Sequence, residues 1–171
     1  MRLPILVAPI LVAPAAGLLG CAHPAAVPPG LRPLDERRAI VVIGQVYQKE
    51  GLTPEGGREM QLASGRMLKV DVSTAGRKYG VAYLTSVDVA SLDPSRDLPP
   101  PMPADDLPLV QGTGADADAV VLVLLSTNYV EADGLHPGGE RRSDALAASA
   151  EQKIAQDVKD FLVQARARHL P

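Results

Sequence analysis

Residues 119–125 read AVVLVLL, the most apolar stretch of the chain outside its first twenty residues. Successive side chains of a strand point to opposite faces, so a run with no polar member needs cover on both. The stretch predicts a central strand packed above and below, and the rest of the fold is read outward from it.

Upstream, Met60 and Leu62 alternate with polar neighbours, and Ser64-Gly65 can turn the chain. Leu68, Val70 and Val72 then alternate with Lys69, Asp71 and Ser73, the two-residue period of a half-buried strand. Ala75-Gly76-Arg77-Lys78 suits a second turn, and Tyr79 to Thr85 a further strand with Tyr79, Val81 and Tyr83 on one face. Residues 86–93 suit a short helix. Leu98 to Pro108 holds five prolines and reads as a surface excursion. Residues 131–143 read as a polar loop.

Two helices bracket the strands. Asp35 to Glu50 places Ile40, Ile43, Val46 and Tyr47 on one face, with the Asp35 carboxylate as N-cap. Gly51 supplies a left-handed stop, with Leu52 folding back on Tyr47. The run Ile40-Val41-Val42-Ile43 also suits a strand, and the two end signals decide for helix. A long final helix starts at Ser143 or Asp144; its stripe is Ile154, Val158, Phe161, Leu162 and Ala165. Arg166 and Arg168 sit where cations suit the helix dipole, and Lys153, Lys159 and Asp160 fall on its solvated side. The expected fold is α+β: a small, mostly antiparallel sheet of three to four strands flanked by an N-terminal and a long C-terminal helix.

With 171 residues the chain suits one domain plus a leader. Hydrophobic content is 46%, too high for a disordered chain, and Phe161 is the single phenylalanine. Without Arg2 of the leader, 16 basic residues face 20 acidic ones, a net charge of −4. That balance argues against nucleic acid and against electrostatic adhesion to anionic lipid.

Residues 1–20, MRLPILVAPILVAPAAGLLG, join one positive charge to a long apolar run that ends in small residues, the layout of an export signal. Pro4, Pro9 and Pro14 would interrupt a membrane-spanning helix there. Cleavage at Ala13-Pro14-Ala15 is disfavoured by the proline. Leu18-Leu19-Gly20-Cys21 resembles the lipobox of bacterial lipoproteins and uses the single cysteine of the chain. The resemblance implies cleavage between Gly20 and Cys21, a diacylglyceryl thioether on Cys21 and an acylated new N-terminus. Several acyl chains are what stable anchoring needs. By analogy with Gram-negative systems, Ala22 rather than Asp after the cysteine implies the outer membrane.

The organisation expected is a signal peptide at 1–20, a lipidated cysteine with a proline-rich tether at 21–34, and a globular domain at 35–171. Residues 22–34 carry four prolines, and in polyproline II they would reach roughly 40 Å.

Motifs for chemistry are sparse. The order helix–strand–strand–strand–helix resembles the core of the restriction-endonuclease-like fold. That family places Asp on the second strand and Glu-x-Lys on the third. Asp71 stands in the first position, but Gly80-Val81-Ala82-Tyr83 stands where Glu-x-Lys belongs, so the ligand set for metal-assisted hydrolysis is missing. Gly112 to Asp118, with Asp116 and Asp118, has too few oxygen ligands for an EF-hand calcium loop and no third glycine for a dinucleotide site. His23, His136 and His169 show no metal-ligand spacing. No cofactor site is read. The expectation is a non-enzymatic envelope lipoprotein that binds another protein, with 98–108 and 131–142 as candidate surfaces. The rival is a small-ligand binder or hydrolase with a site around Asp71, Arg77, Lys78 and Tyr83.

Overall fold

The computed structural model describes residues 27–100, 106–132 and 140–170, with side chains of 140–143 excepted. The leader, Cys21, the tether as far as residue 26, and residues 101–105 and 133–139 of the loops 98–108 and 131–142 lie outside the described residues.

In chain order the elements are β1 (Leu31–Pro33), α1 (Glu36–Lys49), β2 (Pro54–Gln61), β3 (Met67–Thr74), β4 (Tyr79–Leu84), α2 (Ser86–Ser91), α3 (Pro94–Asp97), β5 (Leu109–Gln111), β6 (Val120–Leu125), β7 (Val130–Ala132) and α4 (Glu140–Ala167). The fold is α+β. Its main sheet is mixed and five-stranded, in the order β2-β3-β4-β6-β5, with β1 and β7 forming a separate two-stranded ribbon. The sheet is therefore larger than the expected three to four strands.

It also departs from a mostly antiparallel plan. β2, β3 and β4 form a meander and β5 is antiparallel to β6, but β6 runs parallel to β4 with Val81 opposite Leu122. A parallel neighbour requires a crossover. Residues 85–119 supply it, with α2, α3 and β5 on the way. The run 119–125 is covered on both sides as expected, with Leu122 and Leu124 in one buried cluster and Val121 and Val123 in another.

The two clusters are the two faces of the sheet. On the first, Val72, Tyr79, Val81, Tyr83, Leu122 and Leu124 meet α1 and α4. The helix stripes fall as read: Ile43, Val46 and Tyr47 are buried on α1, and Ile154, Val158, Phe161, Leu162 and Ala165 on α4. Ala39 takes the buried place beside Ile43 and Ile40 is only half-buried. The last helix begins at Glu140, earlier than Ser143. On the second face, Met60, Leu62, Leu68, Val70, Ala82 and Leu84 pack with Val110, Val121, Val123 and Leu92, which follows α2.

Leu68, Val70 and Val72 were expected on one face and are not. Val72 joins the helix side, whereas Leu68 and Val70 join the other. The β3–β4 ladder holds at Ser73–Gly80 and Val72–Val81 and then breaks at Asp71. There the buried Asp71 carboxylate replaces a ladder partner, with Oδ2 accepting the Tyr83 N–H at 2.8 Å. Gly80 makes room for the displaced strand, since a Cβ there would lie 2.5 Å from Val70 Cγ1 and 2.9 Å from the Val72 carbonyl oxygen.

α1 and α4 run side by side in the same direction. Arg38 at the start of α1 pairs with Glu151, and Glu50 just past its end pairs with Arg166 at 2.7 Å. Arg38 also reaches the buried Glu131 of β7, which Arg32 of β1 holds at 2.8 Å. Residues 31–34, expected within the tether, thus belong to the packed domain. Leu34 is buried, its N–H donates to the Tyr129 carbonyl, and its own carbonyl accepts the Tyr83 hydroxyl.

Candidate functional site

Two clefts among the described residues bear on the expected site. The smaller, about 100 Å³, opens beside α2 and is lined by Glu36, Lys69, Asp71, Tyr83, Asp88 and the apolar side chains of Leu68, Leu84 and Leu92. Two of the four residues of the expected ligand site, Asp71 and Tyr83, meet here. The other two do not. Lys78 pairs with Asp118 on the surface at 2.9 Å, and Arg77 lines the second cleft. The divergence follows from the β3–β4 turn, which sends residues 77 and 78 to the far end of the strands from Asp71 and Tyr83.

Each charge in the small cleft is already committed. Lys69 Nζ lies 2.9 Å from Asp71 Oδ1 and 3.1 Å from Glu36 Oε1. The hydrogen bond to Asp71, then that to Glu36, raises the Lys69 ammonium above its usual range, so it stays charged and is not a neutral-pH nucleophile. Asp88 is occupied at the start of α2, where it accepts from the Thr85 N–H and hydroxyl and closes a reciprocal capping box. Burial raises the Tyr83 hydroxyl, which stays protonated and donates to Leu34. The arrangement braces a broken ladder; it does not poise a proton donor and acceptor against a substrate.

Two further acidic residues act in the same manner. Asp97 is buried and accepts from the Ser64 N–H and hydroxyl and from the Asp93 N–H, at 3.1, 2.8 and 2.9 Å. It ties α3 to the β2–β3 turn. Asp116, which the sequence offered only in a segment with too few ligands for a calcium loop, accepts the Gln61 N–H at 3.0 Å, while the Thr113 N–H donates to the Gln61 carbonyl. These bonds join the β5–β6 connection to β2, so the two edges of the sheet are drawn together over the second core. Among the described residues no group of three or more His, Cys, Asp or Glu could hold a metal ion.

The larger cleft, about 300 Å³, lies at the C-terminal ends of α1 and α4 and is lined by Leu52, Arg77, Tyr79, Ala165, Arg166, His169 and Leu170. Both helices stop in the same way. The Gly51 and Leu52 amides donate to the Gln48 and Tyr47 carbonyls, and the His169 and Leu170 amides donate to those of Arg166 and Ala165. The left-handed position is Gly51 in one case, at φ +75°, and His169 in the other, at φ +50°. Arg166 spans the pair, bonding both the carboxylate and the backbone carbonyl of Glu50. From sequence, His169 shows only that it lacks metal-ligand spacing with the other histidines. The missed signal was the leucine after it, placed like the Leu52 that follows Gly51.

His136 and Cys21 lie outside the described residues, as does His23. Lys153 is exposed as expected, but its ammonium sits 4.8 Å from the Tyr129 ring centre and pairs with Asp157. Comparison of the chain with family models, with curated proteins and with solved structures finds no match.

Proposed function

We propose that the chain is a bacterial envelope lipoprotein, cut between Gly20 and Cys21 and held on a membrane by acyl chains on Cys21, whose domain is a non-catalytic protein-binding or assembly module. The carrying observation is the lipobox-like Leu18-Leu19-Gly20-Cys21 at the end of an apolar leader, with the single cysteine of the sequence at its required place. Outer-membrane placement rests on Ala22. No helix among the described residues is long and apolar enough to cross a membrane, and acylation of Cys21 is the proposed attachment.

The packed domain starts at Leu31, which leaves nine residues, 22–30, between the lipidated cysteine and the first strand. Residues 28–31 already turn, with the Leu31 amide donating to the Pro28 carbonyl and Gly30 at φ +78°, so a polyproline II spacer is confined to 22–27 and spans about 19 Å, shorter than the one expected from sequence. The rival reading, a ligand or hydrolase site at Asp71, Arg77, Lys78 and Tyr83, loses support because the four residues are divided among the small cleft, the larger cleft and a surface pair with Asp118.

Mass spectrometry of the exported protein tests the anchor. The expected product begins at Cys21 and carries acyl mass. Cys21→Ser should stop processing or release the protein from membranes, and a mature-sized serine variant that still pellets with membranes refutes the assignment. For the binding role, cross-linking in intact envelopes should capture a reproducible neighbouring protein. Recovery of monomer alone goes against it.

A further inference from the structure

We propose that the cleft between the C-terminal ends of α1 and α4 binds a small organic carboxylate, whose anionic head meets Arg77 and His169 and whose apolar body lies on Leu52, Tyr79 and Leu170. The lining holds two arginines, a histidine and apolar walls, with no acidic side chain, in a chain whose net charge is negative.

The helices account for part of this charge. Partial negative charge at two adjacent helix C-termini favours cations there, and Arg166 answers it directly by bonding Glu50. Arg77 is different. It comes from the β3–β4 turn, it is exposed, and its side chain has no hydrogen-bond or ion-pair partner among the described residues. It is an unspent forked donor in the lining of the cleft, suited to a carboxylate.

His169 points the same way. Both helices end in the same hydrogen-bonded stop, and α1 uses glycine where the backbone turns left-handed. α4 places histidine in that conformation, which disfavours a side chain. The substitution puts an imidazole in the cleft at the one stop position where glycine would be easiest. A cavity of about 300 Å³ is of small-molecule size. Its apolar walls call for a body as well as a charge, which favours an organic carboxylate over a bare inorganic anion.

The test titrates 3-phenylpropionate into the full chain in a neutral detergent, read by amide NMR shifts at Arg77, His169 and Leu170. The control is 3-phenylpropylamine, with the same body and opposite charge. Saturable shifts confined to the cleft with the carboxylate, and none with the amine, are expected. Arg77→Gln and His169→Gly should each weaken binding about tenfold, the loss of one charge-assisted contact. His169→Gly should keep or raise the thermal midpoint, since glycine suits the left-handed turn. Absence of saturation, equal binding of the amine, or unchanged affinity in both variants overturns the proposal.

Discussion

The two faces of the main sheet are covered by different means. One lies under two parallel helices whose apolar stripes interlock with Tyr79, Val81, Tyr83, Leu122 and Leu124. The other lies under short helices and connecting chain, held in place by carboxylates: Asp97 grips the β2–β3 turn and Asp116 grips the end of β2. Periodic burial is enough where helices do the covering. Where irregular chain does it, backbone groups lose their water and need fixed acceptors. The first face should therefore answer to side-chain volume and the second to hydrogen bonding and acid.

The largest effect should come from the helix side. Phe161 is fully buried and meets the Tyr79 ring edge-on at 6.1 Å. Phe161→Ala is expected to cost about 3–5 kcal/mol in urea unfolding, and a loss under about 1 kcal/mol would mean that this face is not held by packing. On the opposite face, Asp97→Ala strands two amides and a hydroxyl, for an expected loss of about 2–3 kcal/mol. Asp97→Leu should do no better, because the lost quantity is an acceptor and not volume.

Acid separates the faces further. Burial alone would raise the Asp97 carboxyl, but hydrogen bonds from Asp93 and Ser64 outweigh it and hold the group below its ordinary range. A lowered folded value means that the stabilisation is complete above the unfolded value, about 3.9, and is lost as pH falls through the folded one. Unfolding followed from pH 6 downward should show this loss in the wild type, with a flatter acid limb in Asp97→Asn. Identical acid limbs would remove Asp97 from the account.

Gly80→Ala tests the join between the faces, where Val70 and the Val72 carbonyl leave no space for a methyl group. A cost of about 1–3 kcal/mol is expected. Adding Val70→Ala should recover only part of it, because the carbonyl stays. The smallest effect belongs to the end of α1: Gly51 sits at φ +75° with nothing within 4 Å of a built Cβ. Gly51→Ala should thus cost about 1 kcal/mol through backbone strain alone.

The same division explains what the sequence made legible. The α4 stripe, the Gly51-Leu52 stop and the two-sided run 119–125 are local patterns, and each appears where it was read. The three-residue strands β1, β5 and β7 are too short to carry a period. The parallel pairing of β4 with β6 depends on how residues 85–119 travel, which no turn signal records. Asp116 acts on an amide 55 residues away, and Asp97, besides its local bond to the Asp93 amide, acts on one 33 residues away, so the long-range part of each task has no mark beside it in sequence. Asp71 was singled out from sequence, but as a possible ligand. Its use as a ladder substitute depends on a change of face between Val70 and Val72 that strict alternation does not foresee. Of the larger cleft, the stop at Gly51 was legible, while its likeness to the stop at His169 emerged only when the two helix ends were seen side by side.

The pairing of β1 with β7 has a mechanical consequence. A pull on the chain ahead of Leu31 is met first by three residue pairs and the Arg32–Glu131 bridge, with Leu34 as the plug behind them. The seven-pair ladder of β2 with β3 lies further along the chain, behind α1. Under the proposed anchoring at Cys21, traction along the chain would reach β1 first, and its release would add the three residues of that strand to the spacer.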